Sequence, residues 1–428
     1  MKYFNNKTKI AIIGLGYVGL PLAISFSKKF MVLGFDINMK RIESLKAGID
    51  FNKEFTKKEI RKNKNLKFSY SNKDLREQNI FIITAPTPLK KNNLPDLEPL
   101  KKATKLVARN MKKNSIVIIE STVYPGTTDE ICIPIIEKYS KLKLNKNFFC
   151  GYSPERINPG DKKRTLENIK KVVSGSNEKT LKKIKYLYET IIKAGVYTTE
   201  TIKVAEAAKV IENSQRDLNI AFINELSFIF SKLNINTREV LNAASTKWNF
   251  LNFEPGLVGG HCLSVDPYYL TYKSLKAGYK PKVILSGRKI NNTVSRFICE
   301  KVNKIMKEKK IKEKNSKILI AGFSYKNDCS DFRNTKVLDI YKILKKRIKN
   351  VDVFDPNISS KYVFEKHNIR LIKKPNKNFY DGIIVSVNHS IFKKKGINFF
   401  KNLGKKKSFI FDVKNISHKE KEKSLISL

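Results

Sequence analysis

Short apolar runs alternate with amphipathic stretches through the first third of the chain. Residues 9–13 and 31–36 predict strands, with a helix over 19–28 between them. Further strands are expected at 80–84, 115–120 and 148–152. Strands separated by helical segments predict a parallel sheet covered on both faces. From 201 to about 233 glycine and proline are absent and apolar residues recur on a broad face, which predicts one long helix. A glycine-rich loop follows at 255–267, and a second helical stretch over 283–307. Residues 307–317 are almost wholly polar and read as a linker. The strand–helix grammar then restarts: strands at 318–321, 351–354, 382–387 and 409–413, and a helix at 337–345. The polar residues after about 415 are expected to fray. The pattern predicts an α/β protein with two Rossmann-like, doubly wound domains joined by a long central helix and a helical middle domain. Its expected boundaries are 1–200, 201–306 and 307–428.

Length supports this: 428 residues suit two or three domains. Residues 10–27 carry no charge and could pass for a signal peptide, but Gly14, Gly16, Gly19 and Pro21 interrupt them in a pattern with another explanation. No membrane association is expected. Five cysteines without a repeating spacing argue for a reducing, cytoplasmic setting. Only four histidines and no Cys-x-x-Cys pair argue against a zinc site, so no metal is expected. The net charge of +47 is extreme and would suit a nucleic-acid binder. The lysines are spread over every segment, however, without a basic arm or an aromatic-plus-basic motif, so no nucleic-acid partner is expected. Such a field would still attract an anionic substrate.

Two motifs carry chemistry. Gly14-Leu-Gly16-Tyr17-Val18-Gly19 follows a strand and opens a helix, the Gly-x-Gly-x-x-Gly arrangement that brings a pyrophosphate against a helix N-terminus. Asp36 ends the next strand, where a carboxylate accepts from both ribose hydroxyls and repels a 2′-phosphate; this points to NAD. Arg41 pulls slightly the other way, since it could pair with a phosphate. The second motif is Cys262 in a glycine-rich turn, four residues before Asp266. Free cysteine is commonly a small buried hydrophobe, so the thiol by itself leaves structure and chemistry both open. Cys132, Cys150, Cys299 and Cys329 read as structural. Ser121-Thr122 and Ser153-Pro154-Glu155-Arg156 each follow a strand, at the carboxyl end where doubly wound sheets bind ligands. Lys209 and Asn213 share one face of the long helix.

These motifs together resemble the UDP-glucose/GDP-mannose dehydrogenase family over nearly the whole chain, at residues 14–19, 120–128, 151–161, 204–219, 248–270 and 322–334. Within it the resemblance runs to the bacterial UDP-N-acetylglucosamine or UDP-N-acetylgalactosamine 6-dehydrogenases of surface-polysaccharide pathways, the Vi-antigen type included. It implies two successive oxidations of a sugar C6 alcohol by NAD, with Cys262 holding the substrate as a thiohemiacetal and then a thioester. It implies that Lys209 and Asn213 stabilise an oxyanion, that Asp266 moves protons through a water held by Thr122, and that Glu155 acts as a base. The division of proton transfers among Glu155, Lys209 and Asp266 stays open. Cofactor contacts are implied for Gly14, Gly16, Tyr17, Val18, Gly19, Asp36, Arg41, Thr87, Thr122 and Arg333. Substrate contacts are implied for Glu155, Arg156, Lys209, Asn213, Gly259 and Lys326, the last on the diphosphate. The long helix would form a homodimer or a higher homo-oligomer. Where the UDP-glucose branch carries a second glutamate, this chain has Pro159; that residue, His261 and Pro267-Tyr268-Tyr269 shift the expected substrate to an N-acetylhexosamine. UDP-glucose oxidation remains an alternative. So does a single-step dehydrogenase of the 3-hydroxyacid or 6-phosphogluconate kind, which needs no thiol.

Overall fold

The computed structural model describes residues 3–5, 7–52, 54–157, 164–414, 416 and 425–428; Pro159 lies outside them. The chain divides into two compact units, Met1–Glu212 with Tyr268–Lys280, and Asn213–Pro267 with Pro281–Leu428.

The first unit contains β1 (Lys9–Ile13), α1 (Gly19–Ser27), β2 (Met31–Phe35), α2 (Met39–Lys46), α3 (Lys57–Arg61), β3 (Leu66–Ser69), β4 (Ile80–Ile83), α4 (Glu98–Asn110), β5 (Ser115–Ile119), α5 (Ile133–Ser140), β6 (Phe148–Tyr152), β7 (Lys171–Gly175), α6 (Glu178–Glu189) and β8 (Val196–Thr198). Its strands form one sheet in the order β3-β2-β1-β4-β5-β6-β7-β8. The central strands are near-continuous Ile, Val and Phe because helices cover both faces; all four residues of β4 are buried. Order reverses between β1 and β4, which pair in parallel, so a ligand crevice opens beyond Ile13 and Ile83.

One pairing departs from the expected parallel sheet: β6 and β7 run antiparallel, with Tyr152 opposite Ser174. A parallel return needs a long crossover, usually a helix. Between β6 and β7 the described residues contain only a short 3₁₀ turn at Leu166–Asn168.

Helix α7 (Ile202–Leu233) contributes residues to both units. The second unit continues with α8 (Thr237–Ala244), the first residues of α9 (Asp266–Lys276), α10 (Lys282–Glu308), β9 (Lys317–Ala321), α11 (Val337–Lys345), β10 (Asn350–Phe354), α12 (Ser360–His367), β11 (Tyr380–Val385), α13 (Ser390–Lys401), β12 (Gly404–Asp412) and β13 (Leu425–Ser427). Its sheet is parallel throughout, in the order β10-β9-β11-β12-β13. The expectation of a frayed tail is corrected at residues 425–427: this stretch pairs with Ile410–Asp412, taking up the free edge of β12. One face of this sheet packs on α10 and α11 through Val294, Ile298, Val302, Ile320, Val337 and Ile340.

Candidate active site

In the first unit, Gly14 has φ +97°, a conformation that favours glycine. Its N–H donates to the Phe35 carbonyl at 2.8 Å, and the Thr84 hydroxyl donates to its carbonyl at 2.7 Å. Any Cβ on Gly19 would sit 1.8 Å from the Gly14 carbonyl oxygen, so the third glycine is needed for helix to meet strand. Gly16 is exposed, and a Cβ there would meet nothing within 4 Å, so the backbone stands open to an approaching group. Tyr17 and Val18 flank it, half-buried. Helix α1 begins without a side-chain cap and without an acid in its first turn, which leaves its N–H groups to an anion. Asp36 accepts from the Leu15 N–H and the Asn38 N–H, both at 2.9 Å, and is thereby held at the end of β2. These residues fit a dinucleotide.

Arg41, expected among the cofactor contacts, is held by protein groups. It is buried, donates from Nε to the Leu15 carbonyl at 3.0 Å and pairs with Asp50 at 2.8 Å. A guanidinium out of water is held by its partners, and here it braces the fingerprint loop from below. Thr87 donates to the Thr122 carbonyl at 2.7 Å, and its own carbonyl accepts from the Tyr269 hydroxyl at 2.8 Å. Thr87 thus ties two loops of the crevice together.

At the carboxyl ends of β5 and β6, Ser121 donates to the Ala85 carbonyl at 2.7 Å, and Thr122 is half-buried beside it. Glu155 is buried; its Oε1 accepts from the N–H groups of Arg156 and Ile157 at 2.6 and 2.5 Å. Its Oε2 lies 3.5 Å from the Lys171 ammonium, which also holds Glu120 at 2.8 Å. The Tyr188 hydroxyl donates to Glu120. Sequence reasoning missed Glu120, Lys171 and Tyr188; the one available signal was the charge of Glu120 directly after the apolar strand β5. The Arg156 guanidinium points to Glu212 at 2.8 Å and the Lys170 carbonyl at 2.8 Å.

Helix α7 presents Glu206, Lys209 and Asn213 at successive turns. Buried Glu206 accepts from the N–H groups of Gly126 and Thr128 at 2.5 and 2.8 Å, capping the π-helical turn Thr128–Cys132 that leads into α5. Burial pushes its carboxyl up to about 7 against those donors. Lys209 is 8 % exposed, and among the described residues no carboxylate lies within ion-pair distance of it. A buried lysine ammonium that no acid neutralises marks a place where negative charge would be stabilised.

In the second unit, Asn213 donates to Asp266 at 2.5 Å, with both side chains buried. Cys262 is half-buried, unlike Cys132, Cys150, Cys299 and Cys329. Burial pushes the thiols of Cys132 and Cys299 up to about 12 and raises that of Cys150, so these are packing residues, as expected. The Cys262 carbonyl accepts from Val265 and Asp266 N–H at 3.0 and 2.8 Å, a turn that feeds α9. Gly260 has φ +87°, and a Cβ on it would lie 2.7 Å from the Tyr325 ring. A Cβ on Gly259 would lie 2.8 Å from the Asn334 carbonyl. His261 stands edge-on to Tyr325, and Asp331 holds Arg333 through Nε and Nη2 at 3.0 and 2.6 Å. Lys326 sits in the loop after β9, its ammonium 5.7 Å from the Tyr325 ring centre. A cavity of about 440 Å³ is lined by Arg238, Asn242, Asn252, Phe253, Glu254 and Lys414.

The second sheet repeats the first one's turn chemistry. Gly322, at φ +92°, donates to the Phe354 carbonyl at 2.7 Å, and Asp355 at the end of β10 accepts from Phe323 and Ser324 N–H at 2.6 and 3.0 Å. Asp355 is also paired with buried His389 at 3.1 Å. Burial raises its carboxyl, but His389 and the N–H donors more than offset this and hold it below the usual range. The acid that in a dinucleotide fold faces a ribose is here enclosed by protein.

Comparison with known proteins agrees with this division of labour. The chain matches the UDP-glucose/GDP-mannose dehydrogenase family in its NAD binding domain over residues 8–192, its central domain over 203–293 and its UDP binding domain over 319–419. It is 50 % identical over 411 residues to the UDP-N-acetyl-D-glucosamine 6-dehydrogenase of Salmonella typhi, covering 96 % of this chain and 97 % of that one. The Pseudomonas aeruginosa protein of the same name is 48 % identical over 413 residues, covering 96 % and 98 %. Among solved structures, the UDP-D-ManNAc dehydrogenase of Pyrococcus horikoshii superposes with a TM-score of 0.89 at 29 % identity, covering 98 % of this chain and 99 % of that one. A glycine cradle that fits NAD, a second nucleotide-type sheet and a match along nearly the full length lead to one assignment: the chain belongs to the UDP-glucose/GDP-mannose dehydrogenase family of NAD-dependent oxidoreductases.

Proposed function

We propose that this protein oxidises the C6 primary alcohol of a UDP-N-acetylhexosamine, the gluco or galacto epimer, to the uronic acid for surface-polysaccharide synthesis. NAD bound in the Gly14–Gly19 cradle would supply the hydride acceptor, so that R–CH₂OH, two NAD⁺ and water give R–COO⁻, two NADH and three protons. The half-buried thiol of Cys262, in its glycine turn beside the Asp266–Asn213 pair, is the observation that carries this reading. The thiolate adds to the aldehyde carbon to form a thiohemiacetal; loss of the second hydride leaves a thioester, and water cleaves it to return the thiolate. Lys209 stabilises the oxyanion, assisted by Asn213. Asp266, with a water held by Thr122, accepts the alcohol proton, and Glu155 is the base for thiohemiacetal formation or for thioester hydrolysis. Lys326 and Gly259 face the sugar nucleotide, and Arg333 meets either its diphosphate or the cofactor.

In this reading residues 1–200 bind NAD, 201–306 carry the thiol loop and 307–428 bind UDP-sugar. The names of the relatives at 50 and 48 % identity support the N-acetylglucosamine form. We place the reaction in the cytoplasm; no described helix is long and apolar enough to cross a membrane. Val204, Ile211, Phe222, Ile229 and Leu233 form an exposed stripe along α7, which supports a homodimer through that helix. The basic surface serves the anionic substrate, and no nucleic acid is a partner.

A panel of UDP-sugars assayed with NAD tests the reading. Two NADH per acid formed, with highest kcat/KM on UDP-GlcNAc or UDP-GalNAc, is expected. One NADH per turnover, or a preference for UDP-glucose, would overturn it.

A further inference from the structure

We infer that Lys171 is a positioning residue for Glu155: shared between Glu120 and Glu155, its ammonium sets the protonation of the carboxylate that serves as base. This rests on the proposed role of Glu155.

The arrangement follows from topology. β5, β6 and β7 are neighbours, and β7 alone of the three runs backwards. A parallel strand would bring its last residues to the ligand edge of the sheet; β7 brings its first. Tyr152 lies opposite Ser174, and counting three residues outward along each strand places Lys171 beside Glu155. Glu120 arrives from the adjacent end of β5, and Tyr188 from α6.

All four side chains are buried. The cluster holds two carboxyls, one ammonium and one phenol, so a single cation serves two acids. Lys171 approaches Glu120 to 2.8 Å and Glu155 to 3.5 Å. Glu120 has a second donor in Tyr188. The Arg156 side chain is turned to Glu212 and the Lys170 carbonyl, so among the described residues Lys171 is the one side-chain cation within ion-pair range of Glu155. Burial pushes the Glu120 carboxyl up against the pull of Lys171. Burial would also discharge Lys171, but the two carboxylates more than offset this and keep it protonated.

Competition for one cation makes two opposite predictions. Removing the ammonium disfavours ionised Glu155, and removing the rival charge favours it. An opposite charge at this range moves a carboxyl by about one to three pH units. The experiment is the pH profile of kcat, which includes the hydrolytic step, read on its acidic limb in full-length Glu120→Gln, Lys171→Met, the double variant and Glu155→Gln, with thermal melting and NAD binding as checks of folding. We expect the limb to move to lower pH in Glu120→Gln and to higher pH in Lys171→Met. The double variant should lie above Glu120→Gln, and it keeps the test intact if Lys171→Met by itself does not fold. Limbs that superpose on wild type while Glu155→Gln is inactive overturn this inference and leave Glu155 as the base. Wild-type turnover in Glu155→Gln overturns the prior assignment of Glu155 itself.

Discussion

Asn213 donates through Nδ2 to Oδ2 of Asp266 at 2.5 Å, in a pocket where both side chains are almost fully buried. The contact joins helix α7 to the residue that closes the Cys262 turn, so a side chain of α7 helps hold the Asp266 carboxylate. Removing a donor from a buried carboxylate costs about 1–3 kcal/mol. Asn213→Ala is therefore expected to lower kcat roughly ten- to hundredfold with little change in the KM for NAD, a split that steady-state kinetics on both substrates will read.

Cys262→Ser keeps size and shape and removes the nucleophile. Acid formation should fall on the order of a thousandfold or more, while NAD binding by fluorescence titration stays as in wild type. Mass spectrometry of wild-type protein quenched in turnover should find the sugar nucleotide attached at residue 262 and nothing attached in the variant.

Asp36 holds the Leu15 and Asn38 N–H groups in place while its strand end faces the cofactor crevice. Asp36→Ala should raise the KM for NAD by about tenfold or more, the equivalent of at least one charged hydrogen bond, with kcat at saturating NAD falling less. Unchanged KM would mean that the ribose is held elsewhere.

Glu206 makes folding stability depend on pH with a definite sign. Burial raises its carboxyl from 4.5 to about 7, so between those values the folded chain binds a proton that the unfolded chain has released. Its contribution is greatest below about pH 4.5 and declines as pH rises to about 7, by roughly 3 kcal/mol in all. Glu206→Gln keeps an acceptor for one of the two N–H groups, Gly126 or Thr128, and has no charge to bury. Its melting temperature relative to wild type should be higher at pH 7.5 than at pH 5; a constant difference across that range would refute the assignment.

Gly260→Ala would put a Cβ at φ +87° and 2.7 Å from the Tyr325 ring. The strained backbone costs about 1–2 kcal/mol, and relief moves the thiol loop. Activity should drop at least tenfold while the melting temperature falls by only a few degrees.

The features that were readable in advance are those whose physics is local. Gly14, Gly16 and Gly19 lie within six residues of one another, and a turn that demands a positive φ and close helix packing is written in adjacent letters. The four structural cysteines could be separated from Cys262 because apolar or mixed flanks and a glycine-rich flank differ within a few positions. The hydrophobic rhythm located the strands that are buried on both faces. The weaker segments Leu66–Ser69 and Lys171–Gly175 are mixed in character and gave no such signal.

The chain order by itself therefore determined the elements with a strong hydrophobic pattern, the cofactor turn and the glycine-rich character of the thiol loop, since each depends on neighbours in sequence. Tertiary structure alone decided that Arg41 pairs with Asp50, that His389 encloses Asp355, and that Lys171 stands between Glu120 and Glu155. Members of the last group are separated by 51 and 16 positions. Their meeting depends on strand order and on one reversed strand, and a change of register by a single residue would turn each side chain to the opposite face of the sheet.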